Sequence, residues 1–418
     1  MFVRHPIWLR RVATPGARAF GVLFALESLT RALLTTVIPL EALRIVGSAQ
    51  TVSVLFFSAS LVGLAGGLLV PWIVRRTARR WVYTAGVVLL GLAAVVLAGG
   101  TPTAQVLGMM LRVLGVVAMA ICLNLYIMDH IARRDLGRAE PQRVFYSAAA
   151  WTVGPFLGVT LSEQFGPWAA YLASAACSLV VLGYFWTLRL TESPALSQPR
   201  TPAPSPLRNI RRYFAQQRLV MAWTVSICRN AWWAMFLIYA PIFAVQSGLG
   251  AYVGGLVSSL VMGFMFLIPL WGWCGRRLGL RWILTVGFGV SGTATLLAAV
   301  LANLPWAALG LLVVAAFLMV MLDSVGNMPF LLAVRPHERA EMTSVYSTYR
   351  DMADMVPPGV YALLLLSFRL PIVFVASGFL MVTMAALARA VHPRLGLARA
   401  PAASGAIARP LHAGSKGR

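Results

Sequence analysis

Runs of about 20 apolar residues recur along the chain with short polar or basic connections between them, the length a helix needs to cross a hydrocarbon layer about 30 Å thick. Twelve such spans are predicted, at residues 20–42, 50–73, 82–100, 104–128, 144–164, 167–188, 219–245, 249–274, 283–302, 305–331, 343–367 and 370–391. Residues 1–19 are basic and interrupted by Pro6 and Pro15, so they read as a cytoplasmic lead-in and not as a cleaved leader. The longest polar break, 189–218, runs from Thr191-Glu192-Ser193-Pro194 into a proline-rich stretch and predicts a cytoplasmic linker. It divides six spans (20–188) from six (219–391). The segment 392–418 lacks apolar periodicity and is expected to be a disordered, basic cytoplasmic tail. The fold class expected is an all-α membrane protein with twelve transmembrane helices in two pseudo-symmetric six-helix bundles.

Composition agrees: 59% hydrophobic against 11% charged residues and a mean hydropathy of +0.79 lie outside the range of soluble domains. A net charge of +23 raises the alternative of nucleic-acid binding, which the placement of the charge decides. Basic clusters at Arg75-Arg76 with Arg79-Arg80, at Arg133-Arg134, at Arg211-Arg212 and at Arg276-Arg277 recur at every second loop, whereas the opposite loops carry only Arg44 and Arg369. That is the positive-inside pattern, with both termini cytoplasmic and no nucleic-acid partner. Cys122, Cys177, Cys228 and Cys274 lie singly in spans, and His5, His130, His337, His392 and His412 are terminal or at helix ends, so neither a metal site nor a cofactor is expected. The basic residues are 34 Arg and one Lys, which with much Ala and Gly suggests a bacterial high-GC coding bias and an inner membrane.

The halves repeat. Arg75-Arg76-Thr77-Ala78-Arg79-Arg80-Trp81 through Gly86 aligns with Arg276-Arg277-Leu278-Gly279-Leu280-Arg281-Trp282 through Gly287, and Pro39 in span 1 aligns with Pro241 in span 7 one residue out of that register. Spans 5 and 11 correspond loosely through Val153-Gly154-Pro155 and Val356-Pro357-Pro358.

Six plus six spans, the central linker and the paired basic loops resemble the major facilitator superfamily over roughly residues 18 to 391. The loop Pro71 to Arg80 keeps three arginines of that family's motif after span 2 but carries Arg75 where the family has an acid, and Arg276 takes the acid's place in the second copy. The family's cytoplasmic lock is therefore expected with reversed polarity, Glu338 and Glu341 facing Arg75 and Arg76, with Arg276 and Arg277 in the matching loop. Gly154-Pro155-Phe156-Leu157-Gly158 is similar to the family's antiporter signature in span 5, and its alternative reading is a packing kink. Arg112 with Gly115 resembles the family's span-4 element. The resemblance is strongest to the drug/proton antiporters, and implies a monomeric secondary transporter working with a small-molecule substrate, protons and membrane lipid.

A charge inside a span demands a partner, a wet cavity or a function. Glu27 and Arg31 in span 1 stand one helical turn apart on one face and can pair. Under the repeat, Arg229, followed by Asn230 and Trp233, is the equivalent of Glu27, which predicts opposed charges across a central cavity. Glu27 is the expected proton-coupling residue, with Arg31, Arg112, Arg229, Asn230 and Trp233 as the substrate-cavity charge network. Asp323, Arg350, Asp351 and Asp354 form either a structural salt-bridge cluster or a gate and second proton site. Trp232, Phe236 and Tyr239 share a helix face that serves either packing or an aromatic cargo. Nucleotide loops, metal clusters and nucleophile-base arrangements are lacking at recognisable spacing, so an enzyme is not expected. The leading expectation is proton-coupled efflux of small amphipathic molecules; the alternative is an importer or uniporter of a small polar metabolite or organic anion bound by the intramembrane arginines.

Overall fold

In the computed structural model, residues 17–130, 136–188, 206–335 and 338–389 are described. The expectations for 1–16, for the proline-rich part of the linker and for the tail beyond 389 lie outside them. The first crossing is α1 (Ala17–Ala32) and α2 (Val37–Val46), joined by a turn at 33–36. Pro39 explains the break: it has no N–H to offer the Thr35 carbonyl and its ring crowds that position, so the chain tightens into three-residue turns from Leu34 N to Arg31 O and Thr35 N to Ala32 O.

The other N-terminal crossings are α3 (Ala49–Arg76), α4 (Arg79–Leu97), α5 (Pro102–His130), α6 (Leu136–Phe165) and α7 (Pro167–Thr187). Within the expected linker, Pro206–Phe214 forms a short helix, α8, which the reading of that stretch as proline-rich connection missed. The second half comprises α9 (Gln217–Gln246), α10 (Ala251–Gly263) continuing through a 3-10 turn at Phe264–Leu267 into α11 (Ile268–Leu278), α12 (Leu280–Val300), α13 (Pro305–Val325) with α14 (Met328–Ala333), α15 (Arg339–Tyr346) with α16 (Tyr349–Leu364), and α17 (Pro371–Ala388). Pro269 accounts for the turn between α10 and α11, and Pro329 with left-handed Gly326 (φ 53°) for the break between α13 and α14.

Among the described residues, ten crossings are long and apolar enough to span a membrane by length and composition alone. The other two run along α6 and along α15 with α16, where Arg143, Arg350, Asp351 and Asp354 dilute the apolar signal. Together they make the twelve-helix, two-bundle architecture. Within the first half α4 packs on α5 and α7, and α1 on α6 and α7; within the second, α12 packs on α13 and α17, and α9 on α16. The halves meet along α3 against α16 and α6 against α10. At the end away from the basic loops, Ala42, Ala49 and Val52 join the second half's core around Trp232 and Phe236, and the Ser53 and Tyr239 hydroxyls lie 2.6 Å apart.

Candidate solute cavity

A cavity of about 310 Å³ lies between the bundles, where the end of α1 and its turn into α2 meet α3, α5, α6, α9 and the start of α16. Its polar lining is Arg31, Thr35, Ser60, Arg112, Asp351 and Asp354, against walls that include Phe56, Met109, Trp151, Leu237 and Ile238.

Arg31 lies in the last turn of α1, just before the turn that Pro39 imposes. Its guanidinium stands 5.6 Å from the centre of the Trp151 ring. Its carbonyl, which takes the Leu34 N–H in the three-residue turn, also accepts from Thr35 Oγ1 at 3.0 Å and from an Arg112 guanidinium nitrogen at 3.4 Å. Arg112 therefore caps the broken helix with one nitrogen, while its Nε is buried without a hydrogen-bond partner. Across the cavity, α16 presents Asp351 and Asp354, and Ser60 Oγ of α3 donates to the Asp354 carbonyl at 2.9 Å. The charge of Asp354 acts on Arg31 and that of Asp351 acts on Asp354.

Several expected site residues stand elsewhere. Glu27 does not line the cavity; it is buried between α1 and α4, where the Tyr83 hydroxyl donates to its Oε1 and Tyr83 stacks on Phe185 at 4.1 Å. Nor does it make a close ion pair with Arg31 among the described residues, although the two remain within electrostatic reach. The opposed pair Glu27–Arg229 is not formed. Arg229 is buried inside its own bundle, its Nε 3.2 Å from Asp323 Oδ1, close enough for an ion pair but not aligned as a hydrogen bond. A second Arg229 nitrogen donates to the carbonyls of Gly326 at 3.0 Å and Leu322 at 3.4 Å, the groups orphaned where α13 ends. Trp233 Nε1 donates to the other Asp323 oxygen at 2.9 Å, and Asn230 donates to Ser226 O on its own helix. Arg229 and Trp233 thus brace the α13–α14 break, Asn230 bonds within α9, and none of the three lines the cavity.

The anticipated acid cluster divides accordingly. Asp323 belongs to the brace, Asp351 and Asp354 belong to the cavity, and Arg350 lies over the Tyr349 ring at 5.7 Å. The aromatic face of Trp232, Phe236 and Tyr239 is fully buried in the second bundle, with Trp232 and Phe236 stacked at 5.3 Å; α9 turns Ala234, Leu237 and Ile238 to the cavity instead.

The span-5 motif is a contact surface. A methyl group at Gly154 would lie 2.9 Å from the Ala32 carbonyl carbon, and Gly158 is as closely applied to Leu33. Next to Pro155, within the unbroken α6, the Phe156 N–H donates to Ser259 Oγ of α10 at 2.9 Å, a bond between bundles. At the basic loops, Arg76 is stacked over Trp72 at 3.9 Å and Arg277 over Trp273 at 4.1 Å, which extends the repeat to a tryptophan one turn earlier in each half. The side chains of Arg75 and Arg276 lie outside the described set. Glu338 and Glu341 both pair with Arg212 of α8 at 2.9 Å, a partner not anticipated for them. Trp151 and Ser60 also escaped sequence reading; the one local signal was the position of Trp151, a turn before Pro155.

A family model described as Major Facilitator Superfamily matches residues 20–358. Comparison with curated protein sequences finds no match. Solved structures with the same fold include a D-xylose-proton symporter (16% identity, TM-score 0.72, covering 91% of this chain and 99% of that one). The nucleoside transporter NupG is similar over 89% of this chain and 98% of its own (14% identity, TM-score 0.70). A POT family transporter in complex with thioalcohol conjugated peptide is similar over 88% and 95% (12% identity, TM-score 0.70). With its family match over most of the chain and two bundles closed around a charged cavity, this protein belongs to the Major Facilitator Superfamily and is an integral membrane transporter, not an enzyme.

Proposed function

We propose that the protein carries a small, charge-bearing polar solute by alternating access through the central cavity, the bundles 20–188 and 219–391 rocking about it with both termini in the cytoplasm of a bacterial inner-membrane system. The observation that carries this reading is the set of cavity charges contributed by both bundles, Arg31 and Arg112 from one and Asp351 and Asp354 from the other. A solute touching both sides binds the closed arrangement more tightly than either open one, which is what a population shift between states requires.

Proton coupling is assigned to Asp354, which faces the cavity under the fields of Asp351, Arg31 and Arg350. Glu27, the acid first expected in that role, would have to act from behind the wall through Arg31. Proton-coupled efflux of amphipathic molecules keeps one supporting feature, the Phe56, Trp151, Leu237 and Ile238 walls. The Gly-Pro signature behind that reading has a packing explanation in the α1–α6 contact. Proteoliposomes with an imposed pH gradient test the assignment against a panel of amino acids, organic anions and lipophilic cations. Asp354→Asn is expected to abolish gradient-driven accumulation, with downhill exchange persisting at a solute concentration raised to offset the weaker binding. Unaltered gradient-driven flux in that variant would remove Asp354 from the coupling path, and flux confined to lipophilic cations would restore the efflux reading.

A further inference from the structure

The cavity charges differ from a structural ion-pair cluster in one respect: they are not in contact. Arg229 and Asp323 show what a structural pair looks like in this protein, at 3.2 Å with the remaining polar atoms bonded to Trp233 and to helix-end carbonyls. In the cavity, Arg31 leans on the Trp151 face and Arg112 keeps a buried Nε without a partner. The Asp351 and Asp354 carboxylates make neither a hydrogen bond nor a close ion pair among the described residues. Positive groups stand on the N-terminal bundle, negative groups on the C-terminal bundle, and an open volume of about 310 Å³ separates them.

Charges that line one cavity without contacting one another favour a ligand that supplies the missing partners. A simple organic anion would satisfy the arginines and leave the aspartates uncompensated, and an organic cation would do the reverse. We propose that the cavity selects a compact zwitterion. Its carboxylate lies toward Arg31 and Arg112, its ammonium toward Asp351 and Asp354, and an apolar side group rests against Trp151, Phe56, Leu237 and Ile238. This rests on the reading of the cavity as the solute site. The volume lies at the lower end of the range of about 300–1,000 Å³ typical of small-molecule sites, which suits an amino-acid-sized body. Because the two ends of the solute belong to different bundles, binding draws α5 and α16 toward each other, so selectivity and closure come from the same contacts.

The test compares three molecules that share one side group: phenylalanine, N-acetylphenylalanine, which keeps only the carboxylate, and phenylalanine methyl ester, which keeps only the ammonium. The same trio built on leucine controls for side-group fit. Dissociation constants are measured on the purified full-length protein in nanodiscs by equilibrium dialysis. Losing one charged hydrogen-bonding end is expected to weaken binding at least ~10-fold. Asp354→Asn should erase the preference over the N-acetyl form, and Arg112→Gln the preference over the ester, each leaving the opposite preference in place. N-acetylphenylalanine or N-acetylleucine binding as tightly as the free amino acid would overturn the zwitterion assignment and leave a cavity for organic anions. Absence of binding by all six compounds, or binding indifferent to both substitutions, would overturn the cavity reading together with the proposal.

Discussion

Gly158 of α6 lies directly against the carbonyl of Leu33, in the turn that breaks the first crossing, so that even a methyl carbon there would stand far inside van der Waals contact with the oxygen. The residue type follows from the approach of two backbones. Gly154, one turn earlier, meets Ala32 in the same way, and the contact holds α6 on the break beside Arg31.

Gly158→Ala is expected to destabilise the protein by about 1–3 kcal/mol or more, the penalty of overpacking where the obstructing atom is backbone. Gly183, in α7, faces open space, with no atom within 4 Å of where a methyl group would stand, so Gly183→Ala should be neutral or slightly stabilising through helix propensity. Thermal unfolding of both variants in one detergent checks the contrast. Equal melting temperatures would mean that α6 does not press on Leu33.

Asp323→Leu leaves the Arg229 guanidinium buried without its counter-charge, and a loss of about 3–5 kcal/mol is expected. Arg229 would still cap Gly326 and Leu322, so the damage should concentrate at the α13–α14 break. The double variant Arg229→Met with Asp323→Leu should recover part of the loss. Hydrogen exchange across 322–334 measures both effects; a single variant as protected as wild type would show that the pair is dispensable.

On α8, the Arg212 bridges to Glu338 and Glu341 are partly exposed, and Arg212→Gln is expected to change stability by no more than about 1 kcal/mol. Tyr213 beside it is fully buried against the cluster of Phe330, Met342 and Tyr346, with its hydroxyl donating to Leu219 O at 2.9 Å. Tyr213→Ala should therefore cost about 3–5 kcal/mol, by analogy with large-to-small aromatic changes, and expose the linker to protease. Limited proteolysis of the two variants distinguishes docking by burial from docking by charge. Faster cleavage in Arg212→Gln than in Tyr213→Ala would reverse the assignment.

Glu27 and Tyr83 make a buried hydrogen bond behind the cavity wall, so Tyr83→Phe should lower stability by about 1–3 kcal/mol, the consequence of stranding a buried acceptor. Solute dissociation constants should be unchanged within about twofold in Glu27→Gln and altered at least ~10-fold in Asp354→Asn, since only the second residue faces the cavity. Binding measurements on the two variants decide it. A large change in Glu27→Gln would return the coupling role to span 1.

Span number and the repeat of the halves were legible in the sequence because each depends on local properties: the length of an apolar run and the recurrence of Arg-Arg and Trp. Arg31 and Arg112, read from the sequence as cavity residues, do line the cavity, in keeping with the cost of an intramembrane arginine anywhere but beside a wet or charged site. The division of labour among the other charges was not. Glu27 and Arg31 share a helix face one turn apart, yet one reaches back to Tyr83 and the other forward to Trp151, because the side chains they meet come from different helices. Similarly, helical spacing grouped Trp232, Phe236 and Tyr239 correctly on one face but left open which way that face turns, and packing turned it inward to the bundle. Periodicity along one chain sets the relative direction of its side chains; their absolute direction is set by the neighbours that tertiary packing brings, and that alone placed Asp351 and Asp354 across from the arginines.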